Sequence, residues 1–379
     1  MGFEFATATR IVFGAGTLRE VVPAAQALGR RAALVLGCPS ELAAPLKAGL
    51  DCCELTVAGE PTLDLIRQGT RAARQEDCDL VIGLGGGSAI DAGKAIAALL
   101  TNPGDVLDYL EVIGAGRSLT APPAPFIAVP TTAGTGSEVT RNAVLASPEH
   151  RVKASLRSPL LLARLAVVDP ELTLELPPAI TATTGLDALT QLIEPYVSLR
   201  ANPMTDLFCQ EGMRRVAGAL VRAYENGRDL HARTGMAWAS LLGGLALANA
   251  GLGAAHGFAA PLGGMFDAPH GAVCAALLPH VMEVNLRALR ARVPSSEALG
   301  RYQTVARLLT GRPDAVAEDG VAWVTETCRR LEVPPLRSYG IGAEHVAEVM
   351  DNAARSSSMK GNPIPLTPDE LREILTRAM

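Results

Sequence analysis

In the first half of the chain, short apolar runs alternate with longer stretches of helical spacing. Ala32–Gly37 (AALVLG), Cys53–Val57, Leu80–Gly85 (LVIGLG), Phe126–Pro130 (FIAVP) and Leu165–Pro170 (LAVVDP) are each bounded by Gly or Pro. Ala-rich helical patterns such as Thr17–Leu28 and Leu63–Glu76 lie between several of them. Strands buried on both faces read as continuous apolar runs, so the alternation predicts a parallel sheet with helices on both faces. Val139–Arg157 reads as a polar hairpin inserted before the last strand.

The pattern changes after Pro177-Pro178, beyond which strand candidates nearly vanish. Ala179–Ser198, Pro203–Asn226, Leu230–Ala250, Val273–Arg290, Ser296–Leu309, Ala315–Leu331, Ala343–Ala354 and Pro368–Arg377 carry helical spacing. The expectation is an α/β domain over residues 1–177 and an all-helical domain over 178–379. A ligand is expected in the cleft between them.

Composition narrows the class. Hydrophobic residues make up 48% and aromatics only 4%, so Leu, Ala and Val must do the packing. A net charge of −5 with intermixed signs argues against a nucleic-acid surface. No uninterrupted apolar run is long enough for a membrane span, so none is expected. The seven cysteines form no CxxC pair, and MGFEFATATR lacks the features of a secretory signal; both point to reduced thiols in the cytoplasm.

Two loops suggest an anion site. In DLVIGLGGGSAIDAGKAIAA (Asp79–Ala98) an apolar strand runs into Gly85, Gly86, Gly87 and Ser88, and a helix follows. Backbone N–H groups and a helix N-terminus suit a diphosphate, although Ser88 breaks both the dinucleotide and the Walker fingerprints. PTTAGTGSE (Pro130–Glu138) follows the next strand and offers Thr131, Thr132 and Thr135 at a strand's C-terminal end. Lys153 is a further candidate for phosphate or ribose. The turn Gly37-Cys38-Pro39-Ser40 lacks the carboxylate that often binds a ribose 2′-hydroxyl, so NADP is expected to be accepted as well as NAD.

A second set of candidates lies in the helical half. His256 and His270 stand in an apolar, Gly-rich segment (Gly251–Pro279), and each is followed by Gly. A buried imidazole needs partners for both ring nitrogens. In GLDALTQLIEPYVS (Gly185–Ser198), Asp187 and Gln191 share a helix face, with Glu194 one turn beyond Gln191. Two oxygens and two nitrogens from Asp187, Gln191, His256 and His270 would suit Fe(II) or Zn(II) better than Mg(II). Cys274, one turn after His270, reads as a small buried apolar residue. Asp91 and Glu138 read as caps or loop anchors, Asp267 as a brace for the turn before Pro269, and His280 as a core or helix-end residue.

These motifs, in order, resemble the iron-dependent (group III) alcohol dehydrogenases, with the maleylacetate reductases as a neighbouring branch. The likeness runs through RIVFGAGT, GGGSAIDAGKA, PTTAGTGSEVT, GLDALTQLIEPYVS, HGFAAPLGGMFDAPHG, LLPHVMEVN and NPIPLT. It implies an N-terminal dinucleotide-binding domain, a helical metal domain and a homodimer. The implied activity interconverts a small alcohol and an aldehyde or ketone with NAD or NADP and Fe2+ or Zn2+, with Asp187, His256 and His270 as catalytic residues. Gly85–Ser88, the PTTAGTGSE loop, Lys153 and Leu172 would line the cofactor, and Asp187, Gln191, His256 and His270 would hold the metal. The chain departs from the family twice: Gln191 and Ala260 stand where the family usually carries His.

Overall fold

The computed structural model describes residues 2–266 and 268–379; Asp267 lies outside the described residues. The chain forms two compact units. One comprises Phe5–Thr132 and Gly136–Glu175, and the other Leu176–Met379 with Ala133–Thr135 and a short N-terminal segment.

The α/β unit runs β1 (Ile11–Phe13), α1 (Val21–Leu28), β2 (Ala32–Gly37), α2 (Ala44–Gly49), β3 (Cys52–Thr56), α3 (Leu63–Gln75), β4 (Leu80–Gly85), α4 (Gly87–Thr101), α5 (Val106–Tyr109), β5 (Phe126–Pro130), β6 (Asn142–Ser147), β7 (Val152–Arg157) and β8 (Leu165–Val168). Six strands form a parallel sheet in the order β1-β8-β5-β4-β2-β3, as the buried apolar runs require. Leu34, Leu36, Leu80, Ile82, Leu84, Ile127 and Val129 face α1 and α2 in one apolar core, while α3 and α4 pack together elsewhere and α4 lies on β2, β4 and β5. The edge strand β1 was not anticipated; at three residues it is too short for a periodic signal.

The expected hairpin is β6 paired antiparallel with β7. Helix α4 anchors it: the Asp91 carboxylate accepts from Val144 N–H at 2.9 Å, and buried Lys94 donates to Thr140 Oγ1 and to the Asn142 carbonyl, both at 2.9 Å.

β2 connects outward to β3, whereas β4 connects in the opposite direction to β5. The strand order therefore reverses between β2 and β4, which is where open parallel sheets bind ligands. Gly37 and Gly85 sit in register at the C-terminal ends of these two strands. A Cβ on Gly85 would lie 2.7 Å from Ala89 Cβ and 2.8 Å from Gly37 Cα. Glycine at both positions lets the start of α4 close onto the strand ends.

The second unit is helical throughout: α6 (Pro178–Val197), α7 (Pro203–Glu225), α8 (Leu230–Ala250), α9 (Ala254–Met265), α10 (His270–Arg292), α11 (Glu297–Thr310), α12 (Ala317–Arg330), α13 (Val346–Arg355) and α14 (Pro368–Ala378). Helix α6 packs on α7, α8 and α10. A separate core joins α9, α10, α13 and α14 through Phe258, Leu262, Leu277, Val281, Val349 and Ile374. Helix α10 is long and apolar enough to cross a membrane, but most of it is buried within this unit, as in a core helix.

In this unit two elements differ from expectation. Helix α9 was not anticipated, because three glycines and Pro261 weaken its sequence signal. Helix α10 begins at His270, directly after Pro269, and not at Val273. His270 therefore stands on the helix's first turn, one turn before Cys274.

Candidate metal centre and dinucleotide site

The start of α9 is built from groups distant in sequence. Its N-cap, Gly253, has no side chain to satisfy the leading N–H groups. Glu194 of α6 does this instead: Oε2 accepts from Gly253 N–H at 3.0 Å and Oε1 from Ala255 N–H at 2.6 Å. A carboxylate at a helix N-terminus also meets the positive end of the dipole. The third N–H, of Ala254, donates to Asn362 Oδ1 at 3.2 Å, and Asn362 is interlocked with Asn285 of α10. This accounts for the Asn residues of LLPHVMEVN and NPIPLT.

The same Glu194 Oε2 lies 2.7 Å from His256 Nδ1. A carboxylate only accepts, so in the neutral ring the proton sits on Nδ1 and the Nε2 lone pair is free. Nε2 points to Asp187 Oδ1 at 3.4 Å, a contact not aligned as a hydrogen bond. His270 Nε2 lies 3.7 Å from the same oxygen. The two imidazole centroids are 5.3 Å apart. A close approach of α10 to α6 makes this possible: a Cβ on Gly271 would lie 2.5 Å from the Thr183 carbonyl oxygen.

Asp187 Oδ1 and His256 Nε2 are both buried and lack a hydrogen-bond partner among the described residues. Such orphans are costly unless something else satisfies them, and a carboxylate with two imidazole nitrogens is a donor set for a divalent transition metal. Electrostatics favour a cation here. Burial raises the Asp187 pKa, but His270 and His256 outweigh it and hold the carboxyl below the usual range. Burial opposes charge on His256, yet Cys274, Asp187 and Glu194 push its pKa well above that of an ordinary imidazole.

The other expected residues fall as follows. Gln191 donates its amide Nε2 to Asp187 Oδ2 at 3.1 Å. Cys274 is buried, but not merely as an apolar filler: its Sγ lies 3.7 Å from His270 Nε2 and belongs to one cluster with Asp187, His256 and His270. Ala260 leaves a methyl group one turn beyond His256. His280 has a buried Nδ1 without a partner among the described residues. Glu194 had been noted only for its spacing. Its one legible signal is the helix face it shares with Asp187 and Gln191; its partners lie about sixty residues downstream.

In the α/β unit, Gly85 ends β4, and Gly86, Gly87 and Ser88 open α4, whose first N–H groups have no helical acceptor. Thr131 N–H donates to the Gly85 carbonyl at 2.9 Å, and the Thr132 side chain stands over Gly86. Thr135 falls with the helical unit. Lys153 is ion-paired to Glu60 at 2.7 Å, and Leu172 packs in the core on the α1 side of the sheet. Glu138 is buried near Lys94, and burial raises its carboxyl to about 7.

Residues 8–170 match the family model "Iron-containing alcohol dehydrogenase", and residues 181–379 match "Fe-containing alcohol dehydrogenase family, C-terminal". Alcohol dehydrogenase 4 of Schizosaccharomyces pombe is 35% identical over 379 residues, covering 97% of this chain and 87% of that protein. A crystal structure of a 1,3-propanediol oxidoreductase superposes with a TM-score of 0.91 at 33% identity over 100% of both chains. A sulfoacetaldehyde reductase from Bifidobacterium kashiwanohense, solved in complex with NAD+, gives a TM-score of 0.85 at 27% identity, covering 99% of this chain and 98% of that one. With both halves matched, the chain belongs to the iron-containing alcohol dehydrogenase family of oxidoreductases.

Proposed function

We propose that the protein interconverts a small alcohol and its aldehyde or ketone, using NAD(H) or NADP(H) and one divalent metal ion. The observation carrying this reading is the convergence of Asp187 Oδ1, His256 Nε2 and His270 Nε2, the first two buried without a hydrogen-bond partner among the described residues. Asp187, His256 and His270 would hold the ion, which supplies Lewis-acid polarisation of the substrate oxygen. Glu194 fixes the His256 ring and its tautomer, as carboxylates behind metal-binding histidines do. Gln191 steadies Asp187 through Oδ2. The His270 side chain is 34% exposed against 5% for His256 and 2% for Asp187, so substrate approaches from its side.

The N-terminus of α4, at the reversal of strand order, offers Gly86, Gly87 and Ser88 to the cofactor diphosphate. Gly37-Cys38-Pro39-Ser40 ends β2 beside it without a carboxylate, which supports acceptance of a 2′-phosphate. With Ala260 at its position, no imidazole one turn beyond His256 relays a proton, so the proton accompanying the hydride exchanges with water. The intact Asp187–His256–His270 set disfavours both a metal-independent reductase of the maleylacetate type and a chain that has lost catalysis.

The test follows nicotinamide absorbance across a panel of short alcohols and aldehydes, with NAD(H) and NADP(H), before and after chelation. Turnover that chelation and His270→Ala abolish supports the reading. No turnover with added Fe(II) or Zn(II), or turnover indifferent to chelator, overturns it. NADH turnover far above NADPH turnover overturns the dual-cofactor part.

A further inference from the structure

We propose that the Cys274 thiolate is the fourth protein ligand of the ion held by Asp187, His256 and His270, and that this donor set selects zinc or cobalt over iron. The inference rests on the metal-site reading above and concerns the position where this chain carries Gln191.

The geometry carries it first. Cys274 follows His270 by one turn of α10, so both side chains leave the same face. Sγ lies 3.7 Å from His270 Nε2, while Asp187 Oδ1 lies 3.4 Å from His256 Nε2 and 3.7 Å from His270 Nε2. A tetrahedral ion with bonds of about 2.0–2.3 Å holds its ligands roughly 3.3–3.8 Å apart. These three separations already match the edges of such a tetrahedron, and all four donor atoms lie within 4.8 Å of one another. Independently, Asp187 Oδ1 and His256 Nε2 are both buried without a hydrogen-bond partner among the described residues.

Gln191 is poorly disposed to be the fourth ligand. Its nitrogen end donates to Asp187 Oδ2, and its oxygen, also buried without a partner among the described residues, lies on the side of Gly243 in α8, 3.5 Å from where an added Cβ would sit. Turning the amide over would set its oxygen against a carboxylate oxygen. Gln191 is therefore a positioning residue for Asp187.

The donor chemistry decides the ion. One carboxylate and one thiolate together neutralise a divalent charge in a buried site, where an uncompensated charge is expensive. Sulfur donors favour zinc over ions suited to oxygen and nitrogen alone. On binding, the Cys274 S–H bond breaks, its electron pair goes to the metal and its proton to solvent. Substrate oxygen would have to add as a fifth ligand by expanding the tetrahedron, from the His270 side, the more exposed one.

The test titrates Co(II) anaerobically into the full-length apoprotein and into Cys274→Ser, Gln191→Ala and His256→Ala, reading absorption and bound cobalt. Wild type should bind cobalt with a sulfur-to-cobalt charge-transfer band in the near ultraviolet. Cys274→Ser should lose that band and bind at least about tenfold more weakly, the lower bound set by what even supporting residues contribute. Gln191→Ala should keep the band. Circular dichroism of each variant confirms folding, and because the Cys53–Cys78 pair could also bind cobalt, the band counts only if Cys274→Ser removes it. Cobalt bound without a Cys274-dependent band, but lost in His256→Ala, overturns the thiolate and leaves the metal site standing. No binding, or binding unaffected by His256→Ala, overturns both. In competition, zinc should displace Fe(II) with a preference of more than about tenfold; the reverse order overturns the selectivity.

Discussion

Replacing Glu194 with Gln isolates one carboxylate that both caps α9 and orients His256. Its Oε2 receives Gly253 N–H and His256 Nδ1, and its Oε1 receives Ala255 N–H. An amide can place its oxygen at only one of these positions. The better choice keeps the oxygen toward Gly253 and His256 and turns the NH2 against Ala255 N–H, stranding a buried donor. A stranded donor costs about 1–3 kcal/mol, and two bonds that lose their charged acceptor weaken further, giving a total of roughly 2–5 kcal/mol. For a unit of about 200 residues this lowers Tm by roughly 2–4 °C per kcal/mol. His256 keeps its Nδ1–H acceptor but loses that acceptor's charge, which should weaken metal binding about tenfold or more. Thermal unfolding of the apoprotein measures the first effect, and cobalt titration against a competing chelator the second. A Glu194→Gln protein with wild-type Tm and wild-type cobalt affinity would refute the role given to this carboxylate.

Two further substitutions probe the frame. Gly271→Ala gains about 1 kcal/mol of helix propensity but presses its Cβ onto the Thr183 backbone, a clash of about 1–3 kcal/mol that no flexible side chain can relieve; urea melts should show a net loss and cobalt binding should weaken, whereas a stabilised variant contradicts the close approach. Burial raises Glu138 from an ordinary 4.5 to about 7, so between these pH values the folded chain keeps a proton that the unfolded chain has released. Wild-type stability should fall across that window and level off above it. Glu138→Gln lacks this penalty, so its stability relative to wild type should rise by about 3 kcal/mol between pH 5 and pH 8; parallel pH profiles would contradict the assignment.

The sheet was legible because parallel strands buried on both faces leave continuous apolar runs, and most long helices kept their period. Elements held by tertiary contacts were not. Helix α9 is Gly-rich, and its first turn depends on Glu194 and Asn362, which no local pattern reveals. The histidines were singled out by their apolar setting and following glycines, but their shared target needed coordinates, as did the place of Cys274 beside them. Its one-turn spacing from His270 was visible, yet spacing alone does not separate a ligand from core filling. Lys153 was marked by the family pattern, and its ion pair with Glu60 joins residues too far apart in sequence to foresee.

The central claim is that Asp187, His256 and His270 hold one divalent ion. Elemental analysis of tag-free protein, reconstituted and desalted, tests it directly when wild type is compared with Asp187→Asn and His256→Ala. About one equivalent of a transition metal is expected per wild-type chain, and little in either variant. Metal-free wild type after reconstitution, or variants that retain a full equivalent, would contradict it.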